Sequence, residues 1–472
     1  MSKRIALLLL VTALSAAAIY GYFIYPSQQA EDVLDDFLAS NPFITASEHG
    51  PVVYDVAKGD LKVEKLRISL SAPRSVSLEI SLLEAEGIST ETDSLTGINN
   101  LTLRGIKILT PTGAHRIGEI FATEVKIDTN VLDPAQNITI ADIAQAIMSR
   151  SVQVTGVKIL VEKKAAQISL NKAHLSGYQK GSVEEFQIEG LQAREPNAKS
   201  YFSLETLTMK DLDARQALRN LSENQPLSLD QLWARNITLS SFAFQDDDRG
   251  PIAVISEIQI KRGNFVGRWP QTANFSMRDM EINTSAATGA VDTSMLRALG
   301  YETIQLSTNL MQEWEPEAGR LRLTDGALIL NSGGTLSYSF DFNDVDAGFF
   351  EAGPMPVKVL GLKMEAAAIG YQDDGLLERI IANSATRSGL SPQQAKTQLL
   401  ENIRVALSGS PLAPMTDEIS IALTELLNKG GKIALTARPD TSVSFANLLQ
   451  KALSGEVDAL QTLNLDVRYS RP

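Results

Sequence analysis

The segment FSMRDMEINTS, residues 275–285, places apolar side chains at Phe275, Met277, Met280 and Ile282. Their spacing is two, three, two, so an alternating strand pattern slips by one residue at Arg278-Asp279. The slip recurs in LTLRGIKIL (101–109), FQIEGLQA (186–193), LTMKDLDA (207–214) and LRLTDGALIL (321–330). A Gly, Asp or extra residue inside an alternating run shifts the side-chain register, as a β-bulge does, and repeated bulges curve and twist a sheet. Gly105, Gly190, Asp211, Asp279 and Gly326 follow no fixed period, which gives no support to a standard solenoid of 20–50-residue repeats.

Period-two alternation predicts further strands over 60–72, 75–87, 116–128, 152–162, 167–175, 234–245, 253–265, 335–342, 357–369, 432–438 and 462–469. In the second of these, Val76, Leu78, Ile80 and Leu82 are expected on one face and Ser77, Glu79 and Ser81 on the other. Such half-buried strands belong to antiparallel sheets, and Pro73-Arg74 suits a tight turn between neighbours. Helical spacing is rarer, at 27–40, 139–150, 292–301, 374–389, 391–407 and 444–455. Ser391-Pro392 reads as an N-cap and first turn.

The N-terminus departs from both periods. Lys3 and Arg4 precede an uncharged run from Ile5 to Tyr25 that includes Leu7, Leu8, Leu9, Leu10, Val11 and Ile19 and ends in Tyr20, Tyr22, Phe23 and Tyr25. At 1.5 Å per residue this run is roughly 30 Å long, the thickness of the hydrocarbon layer. Glu31, Asp32, Asp35 and Asp36 follow it, so the charge asymmetry leaves the N-terminus cytoplasmic and exports the remainder. The alternative is a signal peptide cleaved after an Ala16-x-Ala18 site; both readings export residues 30–472.

The expected fold class is α+β, mainly β. An N-terminal transmembrane helix is followed by one or more long curved antiparallel sheets of short strands with a few helical insertions. The expected divisions are an anchor at 1–26, a stalk helix within 27–48, a repetitive antiparallel β region at 49–290 and a mixed β and helical region at 291–472.

Composition narrows the chemistry. The net charge of −13 argues against a nucleic-acid partner. The absence of cysteine removes disulfides, thiolate metal sites and cysteine nucleophiles. His49, His115 and His174 stand far apart in the sequence, and no metalloprotease, nucleophile-elbow or phosphate-loop motif is present. The acidic runs at 244–250 and 342–348 lack the spacing of a calcium loop and read as turns. No catalytic, cofactor or metal site is expected.

What remains is apolar surface. Ten or more strands each present two to four large apolar residues, more than the few helices can cover. These faces meet a second sheet, a partner or lipid chains. The functional reading is an apolar trough lined by Val76, Leu78, Ile80, Leu82, Leu101, Leu103, Ile106, Ile108, Phe275, Met277, Met280, Ile282, Leu321, Leu323, Leu328 and Leu330. A closed sandwich core is the alternative.

An anchor followed by strands such as LTLRGIKIL, FSMRDMEIN and LRLTDGALIL resembles the AsmA-like envelope proteins and the YdgA-like uncharacterised proteins of Gram-negative bacteria. Residues 299–330 and 367–400 are similar to the C-terminal part of uncharacterised alphaproteobacterial envelope proteins. The resemblance implies a single-pass inner-membrane protein with a periplasmic bulk, acting in phospholipid transport or outer-membrane assembly. Its expected partners are the membrane, a phospholipid or another envelope protein. A protein-binding scaffold on the same anchor is the alternative.

Overall fold

The structure, a computed structural model, describes residues 30–471 apart from 41–43, 71–75, 93–94, 111–112, 129–139, 162–165, 196–197, 223–232, 268, 287–292, 351–357, 359, 411 and 454–460. The candidate anchor residues Ile5 to Tyr25 and the Pro73-Arg74 turn lie outside the described residues. Among the described residues no helix is long and apolar enough to cross a membrane. The chain is mainly β and forms two compact units, dividing between Asp248 and Arg249.

Unit 1 contains α1 (Ala30–Ser40), β1 (Ile44–Glu48), β2 (Val52–Asp55), β3 (Asp60–Leu70), β4 (Val76–Glu86), β5 (Ser89–Thr92), β6 (Leu95–Thr110) and β7 (Gly113–Asp128). It continues with α2 (Ile140–Ala146), β8 (Ile147–Val161), β9 (Ala166–Gln179), β10 (Ser182–Arg194), β11 (Ser200–Asp213), α3 (Arg215–Ser222) and β12 (Asn236–Asp246). The topology is a meander. β1 and β2 both pair with β3, and pairing then runs antiparallel through β4, β6, β7, β8, β9, β10, β11 and β12. The short β5 pairs with the start of β6.

The slip seen in the sequence is a left-handed residue inside the strand. Lys65, Gly105, Gly156, Gly190 and Ser241 all have positive φ, between 50° and 66°. The strand registers set these residues along one line across the sheet, through β3, β6, β8, β10 and β12. Between them stand Ser81, Gly118, Asn171 and Glu205, without positive φ, on β4, β7, β9 and β11. A second line lies six residues away on each strand. There Gly87, Glu124, Gly177 and Asp211 carry the positive φ, opposite Asn99, Arg150, Glu184 and Arg235. Strands from β6 to β12 thus each place one left-handed residue on one line or the other, the lines about 20 Å apart.

Crossing a line inverts which side chains face inward. On β6 the buried apolar residues flanking the line are Leu101 and Leu103, then Ile106 and Ile108. On β4 they are Leu78 and Ile80, then Leu83 and Ala85. Because both strands invert at the same line, pairing survives and the apolar face stays continuous. From β3 to β8 that face is sealed: Ala85, Leu101 and Leu103 are 0 % exposed. No second sheet covers it among the described residues of the unit, so a face this dry requires the sheet to fold over itself, with Leu34 and Leu38 of α1 filling one end. The polar face carries ion pairs, including Arg67–Glu79 at 2.6 Å, Arg104–Glu119 at 3.0 Å and Arg150–Glu124 at 2.6 Å.

Unit 2 contains β13 (Gly250–Val266), β14 (Trp269–Asn283), α4 (Ser294–Ala298), β15 (Thr303–Glu315), β16 (Arg320–Leu330), β17 (Gly334–Asn343) and β18 (Lys363–Asp373). After three helices, α5 (Leu376–Ser388), α6 (Pro392–Ser408) and α7 (Thr416–Lys429), come β19 (Lys432–Ala437), β20 (Val443–Ser444), α8 (Phe445–Leu453) and β21 (Leu465–Ser470). Pairing is again sequential and antiparallel from β13 to β19, and β21 then pairs with β19. β20 adds to β18. Here the bulges shift the register outright, between Met277 and Met280 and between Leu323 and Gly326, with Asp279 and Asp325 at positive φ.

Several boundaries differ from the sequence expectation. The helix expected over 139–150 ends at Ala146, because Met148 and Ile147 pair with β7. The strand expected over 357–369 begins at Lys363. α7 was not anticipated, although Asp417 and Glu418 in its first turn and Lys429 in its last complement the helix dipole. The texture change expected near 290 falls within unit 2, where β14 pairs directly with β15 across it.

The bulge at Asp279 makes a prediction. Met277 and Met280 are half-buried, while Arg278 and Asp279 are exposed. Met280→Asp should destabilise unit 2 by about 2–3 kcal/mol through a poorly solvated carboxylate, and Arg278→Asp by less than about 1 kcal/mol. Equal shifts in urea midpoint would exclude this register.

Candidate functional site

Side chains on the inner face of unit 1 form columns across β10, β11 and β12. Phe186, Met209 and Ile237 are directly opposed, as are Ile188, Leu207 and Leu239, then Leu191, Leu204 and Phe242, then Ala193, Phe202 and Phe244. They are mostly half-buried, and Phe202 is 49 % exposed beside Phe244, ring centroids 4.9 Å apart. The same face is therefore dry over β3–β8 and partly bare over β9–β12.

The face of unit 2 is closed at two places and bare between them. One sealed cluster is built on Trp314, Leu321, Phe342 and Met364, with Phe340, Phe349, Phe350 and Phe445 packed around it. The other holds Leu299, Tyr301 and Ile304, with Leu330, Leu376 and Ile380 against it. Thr308, Leu328, Leu336 and Tyr371 are paired in register between these clusters, and Tyr338, Ile369 and Leu435 form the adjoining column. Leu328 is 40 % exposed, Leu336 38 % and Ile369 44 %. The columns run from β15 to β19, about 19 Å at the normal strand spacing, and their most exposed residues lie on β16, β17 and β18.

The sequence-derived candidates divide accordingly. Leu78, Ile80, Leu101, Leu103, Ile106 and Ile108 lie in the sealed core of unit 1, and Val76 packs at its margin. Leu82 pairs with Glu64 and Arg104 at the first bulge line, and Leu83 takes the inward position instead. In unit 2, Phe275, Met277, Met280, Ile282, Leu323 and Leu330 are half-buried, Leu321 is sealed and Leu328 is bare. Phe202, Leu336, Tyr338 and Ile369 were not among the candidates. Their signal was the alternation of GTLSYSF and its neighbours, but only strand pairing shows which columns stay uncovered.

The polar groups are structural in placement. His115 Nδ1 accepts from the Leu160 amide, and His174 Nε2 lies 3.0 Å from Ser151 Oγ. Asp247 and Asp248 pair with Arg194 and Lys199, and Asp344 pairs with Lys363. Asp373 accepts from the amides of Gly375 and Leu377 at the start of α5, while the Tyr371 hydroxyl donates to it at 2.7 Å. Burial, then the Asp373 carboxylate, drives the Tyr371 pKa upward, so this phenol stays protonated. Among the described residues no cluster of His, Asp and Glu has the arrangement of a metal site.

His49 is different in kind. Its Nδ1 lies 2.8 Å from the Gly50 carbonyl oxygen and its Nε2 3.0 Å from Asp35 of α1. Both neighbours are acceptors, so both contacts are hydrogen bonds only when the ring is protonated. Burial opposes the charge, but the Gly50 carbonyl, Asp35 and Glu31 outweigh it and raise the pKa above 6.5. A raised pKa stabilises fully below the unfolded value and is lost as pH rises through the folded one. Unit 1 should therefore lose stability in urea as the pH rises above the ordinary histidine value of about 6.5, and His49→Gln should flatten that dependence. An unchanged slope in the variant would exclude the contact as its source.

Each unit is thus a meandering antiparallel sheet with one apolar and one charged face. A family model described as "Uncharacterized protein" matches residues 327–470, which spans β17 to β21 and the helices between them. No curated protein matches the chain.

Proposed function

We propose that the protein is a non-enzymatic envelope protein, held by its N-terminal apolar segment in the inner membrane with its bulk in the periplasm, whose apolar sheet faces hold acyl chains of phospholipids. The observation that carries this reading is the band of Leu328, Leu336 and Ile369, bare on an otherwise apolar face and bounded by sealed clusters. Each buried methylene contributes about 0.8 kcal/mol, so such a band retains a chain without contacts to its headgroup. An acyl chain spans about half the 30 Å hydrocarbon layer and fits within the band. The resemblance to AsmA-like proteins points the same way.

Native mass spectrometry of the purified full-length chain tests this. Bound phospholipid should persist after the detergent is stripped, and Leu336→Asp with Ile369→Asp should reduce it at least tenfold while unit 2 stays folded. A lipid-free protein, or unchanged lipid in the variant, would reject the reading. The exposed Val405 of α6 and Ile421 of α7 favour a second reading, a scaffold that docks an envelope protein on its helices. Loss of a cross-linked partner in Val405→Asp, with no lipid detected, would support it instead.

A further inference from the structure

The first and last strands of the chain are finished differently. Unit 1 begins on β1 and β2, which are five and four residues long, with Pro51 between them and an irregular register between Ile44 and Ala46. Short strands, proline and irregular pairing blunt a sheet edge against further strands. Unit 2 ends on β21, LDVRYS, which holds no proline and pairs without interruption along β19. Among the described residues β21 pairs with no other strand. Thr436 Oγ1 lies 3.5 Å from the Asp466 carbonyl oxygen, and the Ser470 carbonyl oxygen comes up against Gly431, so these residues turn their backbone groups toward β19. The amides and carbonyls of Leu465, Val467 and Tyr469 therefore point out of the sheet edge. The side chains divide by face. Leu465, Val467 and Tyr469 share one, on which the Tyr469 hydroxyl donates to the Gly430 carbonyl just past α7 at 2.9 Å. Asp466 and Arg468 share the other, 47 % and 79 % exposed, with Arg468 Nε 2.5 Å from the carboxylate.

We propose that the β21 edge pairs with the β21 edge of a second copy of the chain, antiparallel and centred on Val467. The strand is its own complement about that residue. Centring there sets Asp466 opposite Arg468 of the second copy, twice over, and Leu465 opposite Tyr469. The four charges then alternate in sign around a closed ring. Centring on Asp466 or on Arg468 would oppose like charges, and a slip of one residue would set apolar side chains against charged ones. The three outward-facing residues supply about six backbone hydrogen bonds to such a pair. A foreign strand would need the same alternation of charge, whereas a second copy carries it by construction. The two-fold axis stands normal to the sheet, so the apolar faces of the two unit 2 sheets come to lie on one side. The inference is independent of the acyl-chain reading.

Sedimentation velocity of the full-length chain in a non-ionic detergent tests this. The chain should sediment as a dimer. Asp466→Arg and Arg468→Asp should each raise the dimer dissociation constant at least tenfold, since each replaces both attractive pairs by repulsive ones. An equimolar mixture of the two variants should recover the dimer, because the basic pair of one then faces the acidic pair of the other. A chain that is monomeric at every concentration, alone or bound to a different protein, would overturn the proposal. So would a dimer that neither variant weakens, or a mixture no more dimeric than its components. The absence of cysteine allows a second measurement, of the register itself. Val467 meets its own copy at about 5.5 Å between Cα atoms, within disulfide reach, whereas the two copies of Ser470 stand about 20 Å apart. Under mild oxidation Val467→Cys should cross-link at least tenfold faster than Ser470→Cys, and equal rates would overturn the pairing.

Discussion

Ile106→Asp should abolish cooperative unfolding of unit 1 at 25 °C, whereas Leu328→Asp should leave unit 2 folded. Both residues belong to alternating apolar runs and lie just after a left-handed residue, Gly105 or Asp325. Ile106 is 1 % exposed inside a continuous cluster of buried apolar residues. A carboxylate there is either unpaired or protonated against its preference, and costs more than about 4 kcal/mol. That is a large share of the roughly 5–15 kcal/mol that holds a domain together. Leu328 is 40 % exposed, so an aspartate can reach water at a cost of about 1 kcal/mol. Circular dichroism melts of the two variants decide the matter. A folded Ile106→Asp would mean that the face opens in solution far more than its burial indicates.

Gly156→Val should destabilise unit 1 by about 2–3 kcal/mol and Gly156→Asp by no more than about 1 kcal/mol. Gly156 sits on the first bulge line with φ +65°, and a Cβ there would meet only ordinary contacts, the closest being Gly118 Cα at 3.4 Å. Space is therefore not the issue. The difference between the variants isolates the backbone: a β-branched residue resists the left-handed region, whereas aspartate already occupies it at Asp211, Asp279 and Asp325. Urea titrations of both proteins give the comparison directly. Equal losses would show that the bulge is not held in this conformation.

The strand pattern was legible because one face is apolar and the other charged. Alternation at 75–87 and 101–109 marks β4 and β6, and the slip at Arg278-Asp279 marks a bulge where the register with β15 does shift. The alignment of Gly105, Gly118, Gly156 and Gly190 was not legible. It depends on which strands pair and in what register, and the loops between strands vary in length, so the spacing along the chain is irregular. The candidate face was legible only as a set of apolar residues. Nothing local distinguishes Ile106 from Leu328; one lies in a sealed cluster contributed by many strands, and the other does not. The helix α7 was hidden by the turn-rich residues just before it, although its own charges and apolar spacing announce it.

The alternating bulge lines also constrain how such a chain can change its length. Each strand from β6 to β12 pairs with its immediate neighbours and carries its left-handed residue in one line or the other by turns. Removing a single strand would bring two left-handed residues of the same line side by side and would also reverse the chain direction, giving parallel neighbours. Removing β9 and β10 together would set Gly156 of β8 beside Glu205 of β11, and Arg150 beside Asp211, restoring both lines. Growth and shrinkage of this architecture are therefore quantised in hairpins, and proteins of this build should differ in size by even numbers of strands.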